Sequence, residues 1–154
     1  MRKCTAKSPL FRNFCKKYYD LLITINRKIV TQIFLAIAST FGGIAVVFGA
    51  FASHALQDCL SARSLAIWDT GTKYQMYHAL ALILVALLIS RFPNSVLLTV
   101  AGYAFIVGIF IFSGSLYTLA LTGIKWLGAI TPIGGIAFII GWLCLALASS
   151  RIES

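Results

Sequence analysis

The feature that most constrains this chain is the spacing of its charges. No Asp, Glu, Lys or Arg occurs between Lys28 and Asp58, between Lys73 and Arg91, between Arg91 and Lys125, or between Lys125 and Arg151. The gaps are filled chiefly by Leu, Ile, Val, Ala, Phe and Gly. A bilayer core of about 30 Å is crossed by about 20 apolar residues in a helix. In lipid, an unpaired strand edge leaves backbone groups unsatisfied, so such segments must be helical. The spacing therefore predicts four helical spans, at about 29–53, 74–90, 96–121 and 126–149. The second is short, and its helix has room to begin earlier, near Ser64. The chain is 60% hydrophobic and 11% charged, against about 45–50% apolar and ~25% charged in soluble domains. A water-soluble globule and a disordered chain are both excluded. The expected fold class is all-α, an integral membrane four-helix bundle.

Residue size has a helical period. In span one Phe34, Ile37, Phe41, Ile44, Phe48 and Phe51 form a large face, expected to meet lipid. Ala38, Gly42, Ala45, Gly49 and Ala52 form a small face, expected to meet another helix. Span four repeats the small face with Gly134, Ala137, Gly141, Cys144 and Ala148, and span three adds Gly102, Gly108 and Ser113-Gly114-Ser115. Small residues let helix backbones approach closely in membranes. Gly123 is placed to stop span three. Within span four, Thr131-Pro132 has two readings. One is an N-cap with Pro at the first helical position, a helix break formed by Thr131, Pro132, Gly134 and Gly135. The other is a continuous helix kinked at Pro132.

The net charge of +9 is unevenly spread. Residues 1–28 hold eight of the thirteen Lys and Arg residues. The basic charge adjoins a membrane span, so nucleic acid is not the expected partner. With both termini inside, ten bases lie on the inner side and three (Arg63, Lys73, Lys125) on the outer. The positive-inside rule then gives N-in, C-in. Residues 1–28 themselves have two readings. One is a basic amphipathic surface helix, with Ser8-Pro9 as its cap and Phe11, Phe14, Tyr18, Leu21 and Ile25 on one face. The other is a mis-called start, with translation beginning at Val30, in which case orientation is undetermined. Residues 29–150 form the four-span domain on either reading. Ala50-Phe51-Ala52 has the spacing of a signal-peptidase site, but the apolar run before it exceeds a signal core and reads as an anchor.

Polar residues gather toward one end of the expected bundle. They are His54 and Asp58 after span one, then Trp68, Asp69, Lys73, Tyr74, Gln75, Tyr77 and His78 around the start of span two. Ionisable groups in a membrane call for a functional hypothesis. His54 and His78 are candidates to bind a haem or a transition metal together. The alternative is that both rings sit at the interface and hydrogen-bond to neighbouring helices. The four cysteines form no metal-binding or disulfide pattern. Ser113 and Ser115 lack the Gly-x-Ser-x-Gly elbow of a hydrolase, and no phosphate loop, dinucleotide fingerprint or zinc-protease motif is present. No enzyme activity, resident cofactor or metal is expected.

Four motifs occur in order: Gly49-Ala50-Phe51-Ala52-Ser53-His54-Ala55-Leu56, Tyr74-Gln75-Met76-Tyr77-His78, Phe112-Ser113-Gly114-Ser115-Leu116-Tyr117, and Thr131-Pro132-Ile133-Gly134-Gly135. Over about 31–149 the chain resembles the domain-of-unknown-function family 423, small bacterial inner-membrane proteins of the YgdD/YwdK kind. The resemblance implies four membrane spans and no assigned activity. The sequence departs from the family pattern at Ser53 and Gly71, where Gly and Ala are expected. Gly71 should weaken a helix there by about 1 kcal/mol relative to Ala. The expected function is that of an uncharacterised multi-pass membrane protein, a structural or interaction component of the bilayer. Its partners are then lipid, further copies of itself or other membrane proteins. The alternatives are a small-solute or ion passage formed by an oligomer, with the Pro132 region as its broken helix, and the haem or metal site at His54 and His78.

Overall fold

The computed structural model describes residues 9–150, with some side chains between 9 and 27 left out of that description. Helix α1 runs Pro9–Phe51 and widens into a π-helical turn over Ala52–Leu56. Helix α2 follows at Ala62–Arg91. Helix α3, Val96–Gly108, continues through a π-helical turn, Ile109–Ser113, into α4, Gly114–Thr122. Helix α5 is Leu127–Ser149. Four segments are long and apolar enough to cross a membrane: 28–56, 62–91, 96–122 and 127–149. No strand occurs among the described residues.

Local chemistry sets the ends. Ser61 and Ser95 accept from the backbone N–H groups of Ser64 and Leu98, at 3.1 and 3.4 Å, and so cap α2 and α3. Phe92 and Pro93 close α2, the residue before a proline being pushed out of helical geometry. Gly123 ends α4 as expected. It sits at φ +69° and its N–H returns to the Leu119 carbonyl, a left-handed cap that costs glycine little.

Helices α1 and α2 pack antiparallel, α3–α4 lies against α2, and α5 against α3–α4. The α3–α4/α5 seam has a simple register. Ser115 meets Thr131, Gly134 meets the backbone of Phe112, Phe138 meets Gly108, and Phe105 meets Gly141. Each of the three apolar layers pairs a phenylalanine with a glycine. A Cβ on Gly108 would fall 2.4 Å from the Phe138 ring, and one on Gly141 would fall 2.5 Å from the Phe105 ring. Span one docks in the same way, since a Cβ on Gly102 would fall 2.2 Å from the Phe34 ring. Burial of these rings gives the dispersion contacts that hold helices together where lipid competes on equal apolar terms.

The structure corrects some of these expectations and completes others. First, the large face of span one points inward. Phe34 and Phe41 are buried and Phe48 packs against Trp68, while Ile44 and Phe51 are exposed. Ala38 and Ala45 are buried beside the rings, so the contact face alternates large and small along Phe34, Ala38, Phe41, Ala45 and Phe48. Second, α2 starts at Ala62, close to the earlier start near Ser64 that the short second span left room for, and runs through Gly71. Gly71 is compensated from outside its helix, by the Tyr117 ring packed on it and by Ser113 Oγ donating to its carbonyl at 2.8 Å. Third, α5 is continuous through Pro132. A helix that begins at Leu127 forfeits only one internal bond there, to the Gly128 carbonyl. The break formed by Thr131, Pro132, Gly134 and Gly135 is therefore absent and the continuous-helix reading holds; Thr131 and Gly134 are buried in the seam, while Pro132 is exposed. Fourth, no break separates the basic segment from span one, and α1 joins the two as one helix. No glycine or proline occurs between Leu10 and Phe41 to interrupt it. Phe14, Tyr18, Leu21 and Ile25 are exposed on it; Ser8, the expected cap, lies outside the described residues.

Candidate functional site

Depth in the bilayer follows from helix rise. Lys73 and Arg91 bracket an uncharged stretch of α2 about 27 Å long at 1.5 Å per residue, close to the hydrocarbon thickness of about 30 Å. Lys73 forms an exposed 2.6 Å ion pair with Asp69 one turn earlier. Gln75 and His78 face inward below that border while Tyr74 and Tyr77 are exposed, so the Tyr74–His78 motif is divided between two faces of α2.

The upper inner part of the bundle is held by hydrogen bonds to backbone. Gln75 Nε2 donates to the Phe41 carbonyl of α1 at 2.8 Å, and its Oε1 accepts from Tyr117 Oη at 3.0 Å. One buried amide therefore ties α1, α2 and α4. Trp68 Nε1 donates to the Phe48 carbonyl at 3.0 Å, and the Phe48, Trp68 and Tyr117 rings pack with centroids 4.7–5.3 Å apart. Ser115 and Thr131 hydroxyls meet at 2.8 Å across α4 and α5. No buried side-chain polar atom among the described residues lacks a partner. That completeness matters in a low-dielectric interior, where an orphaned polar group costs several kcal/mol.

His78 lies just below this network in an aromatic box. Its ring stacks on Phe138 with centroids 3.5 Å apart and planes 7° from parallel. Trp142 Nε1 donates to His78 Nε2 at 3.2 Å, and His78 Nδ1 lies 2.7 Å from the Tyr74 carbonyl. Indole is only a donor and a carbonyl only an acceptor. The pairing therefore assigns the proton to Nδ1 and leaves the imidazole neutral. Tyr74, Tyr77, His78, Phe138, Ile139 and Trp142 border an open, largely apolar groove of about 580 Å³ on the outer face of α2 and α5.

The structure does not bring His54 to His78. His54 is exposed in the π-helical turn after α1. The Gln75–Phe41 contact sets the antiparallel register, which puts His78 level with Ala38. His54 is then roughly 24 Å farther along the bundle axis. Asp58 is exposed in the following loop. Of the expected cluster, Trp68, Gln75 and His78 are buried, Tyr74 and Tyr77 are exposed, and Asp58 and His54 stand apart. Among the described residues, no group of three His, Cys, Asp or Glu is placed to hold a metal ion. Sequence reasoning missed Tyr117, Phe138 and Trp142, which complete the network and the box. Their signal was faint, since aromatic residues are spread through every span.

A family model described as "Protein of unknown function (DUF423)" matches residues 48–135, a stretch that contains His54, the Tyr74–His78 motif and Thr131–Gly135. The chain is 46% identical over 120 residues to a UPF0382 membrane protein of Staphylococcus epidermidis, covering 78% of this chain and 97% of that protein. It is 42% identical over 120 residues to the UPF0382 membrane protein YwdK of Bacillus subtilis, covering 78% and 98%. A UPF0382 membrane protein of Haemophilus influenzae is 40% identical over 121 residues, covering 79% and 96%. No solved structure matches. Identity of this order along nearly the whole length of the relatives agrees with the four apolar helices and the ordered motifs: the chain is a multi-pass membrane protein that belongs to the DUF423 family.

Proposed function

We propose that the protein is a non-catalytic structural or interaction component of a bacterial inner membrane, oriented with both termini inside. The observation that carries this reading is where the buried polar side chains spend their hydrogen bonds. Gln75, Ser113, Ser115, Thr131 and His78 all bond to other helices or to their own backbone. Polar groups used in this way fix helix positions. The orientation rests on Lys28 and Arg91 at one end of the bundle, with the basic segment 1–28 beyond, against Arg63, Lys73 and Lys125 at the other. Helical spans suit an inner membrane, where hydrophobic helices are inserted. Partners on this reading are lipid, further copies of the chain or other membrane proteins.

A solute passage is the second reading, favoured by one observation. The π-helical turn 109–113 lies directly against the proline-containing part of α5, at the Phe112–Gly134 contact. π-Helical turns inside helices are frequent at functional sites. The haem or metal reading is weakened by the engagement of both His78 nitrogens.

Purified protein in liposomes separates the three. Solute and ion flux equal to that of empty liposomes, with no visible absorbance band, is the expected result. Flux that disappears in Pro132→Ala would replace it with the transport reading, and a Soret band lost in His78→Ala with the haem reading. For orientation, a C-terminal alkaline phosphatase fusion is expected to be inactive and a C-terminal fluorescent fusion bright.

A further inference from the structure

A cleft of about 370 Å³ lies between the start of α2 and the α4–α5 turn, lined by Arg63, Ser64, Ile67, Leu119, Lys125 and Gly128 among others. We propose that it binds one anionic glycerophospholipid, with the phosphodiester held between Arg63 and Lys125 and an acyl chain laid along Ile67 and Leu119.

Charge is the first argument. Both cations border one cleft, and no acidic residue lines it. The ion pair found among the described residues, Lys73–Asp69, uses neither of them. The helix dipoles add to the imbalance. Arg63 is the second residue of α2, Lys125 lies two residues before the start of α5 and next to its N-cap Trp126, and neither helix has an acid in its first turn. A helix N-terminus carries about half a positive charge, and a cation there is unfavourable. Two long helices thus bring their positive ends to two unpaired cations. An anion at this point offsets all four.

Position is the second argument, and it selects a lipid over a free anion. Ile67 and Leu119 are half-buried apolar residues at the headgroup end of the bundle, Ile67 about 9 Å beyond Lys73 along α2, and Arg63 lies one turn farther toward water. Trp126, exposed next to Lys125, has the amphipathic ring that settles at headgroup level. A cationic rim over an apolar floor at that level matches a phosphate joined to an acyl chain. The inference does not depend on the scaffold reading, because such a site would serve a transporter equally well.

Native mass spectrometry of the full chain, exchanged from detergent into phosphatidylglycerol or phosphatidylcholine, tests it. Wild type should retain phosphatidylglycerol in preference. Arg63→Gln and Lys125→Gln should each reduce that preference about fivefold, the scale of one basic side chain at an anionic surface. The charge-keeping pair Arg63→Lys and Lys125→Arg should retain it, and the helical circular dichroism of all variants should match wild type. Should the two Gln variants misfold, the charge-keeping pair still tests the claim, and equal retention of the two lipids by wild type overturns it. Loss of preference in Lys28→Gln and Arg91→Gln, but not in the Arg63 and Lys125 variants, moves the site to the other end and also overturns it. Thermal stabilisation by inorganic phosphate in phosphatidylcholine nanodiscs, equal to that from phosphatidylglycerol, would assign the cleft to a free anion instead.

Discussion

The two halves of the bundle are held together by different means. Toward the Lys28–Arg91 end, Phe34, Phe105 and Phe138 press their rings into Gly102, Gly141 and Gly108, with no polar group involved. Toward the other end, Gln75, Tyr117, Trp68 and Ser113 bond across helices, mostly to backbone carbonyls. His78 stands where the two regimes meet, stacked on Phe138 and bonded to Trp142. The comparison teaches that shape and hydrogen bonding are alternative ways to specify helix contacts in lipid, where hydrophobicity alone does not distinguish a helix from a lipid tail. Shape should carry more of the stability, because a hydrogen bond lost on unfolding within the membrane is partly remade with other partners.

The sharpest break in that comparison is Phe138→Ala. It empties the notch at Gly108 and unstacks His78, and should cost about 3–5 kcal/mol by analogy with buried aromatic truncations, read as a lower unfolding midpoint in detergent. Gly134→Ala should follow, at about 1–3 kcal/mol, typical of overpacking. Its Cβ would fall 2.5 Å from the Phe112 backbone nitrogen, which has no rotamer by which to yield. Gly102→Ala clashes instead with the Phe34 side chain, so adding Phe34→Leu should recover part of the loss, a non-additive coupling readable in a double-mutant cycle.

Gln75→Leu and Ser113→Ala should cost less, about 0.6 kcal/mol on average and up to ~1.7 for one interhelical bond. A Gln75→Leu loss larger than that of Phe138→Ala would invert the comparison. Gly42→Ala and Gly43→Ala should have the smallest effect. Nothing lies within 4 Å of a Cβ at either position, and the helix propensity of alanine predicts a gain of up to about 1 kcal/mol.

Much of the fold was legible from charge spacing alone. Spans three and four, the Gly123 stop and the small faces at Gly102, Gly108, Gly134 and Gly141 all follow from residue type and helical period. The candidate site was legible only in part. Gln75 and His78 stand out as polar residues in an apolar setting, but their partners Tyr117 and Trp142 lie 42 and 64 residues away, and no local pattern links them. The large face of span one is misplaced toward lipid for the same reason, while its small-face residues Ala38 and Ala45 are buried as expected. Its phenylalanines are indistinguishable from lipid-facing ones until Gly102 is placed opposite Phe34. At Gly71 and Pro132 the sequence left the continuity of the helix open, because local propensity penalises both residues. The bundle overrides the penalty at Gly71 with the Tyr117 ring and the Ser113 hydrogen bond.

The sequence by itself determined that the chain crosses a membrane as four helices, because transfer of apolar side chains into lipid and the need to satisfy every backbone group are properties of each segment alone. Only the tertiary structure decided that the large face of span one is inside, which glycine receives which ring, and that His78 is paired with Trp142 rather than with His54. Those choices depend on complementarity between segments distant in sequence, and complementarity is a property of pairs.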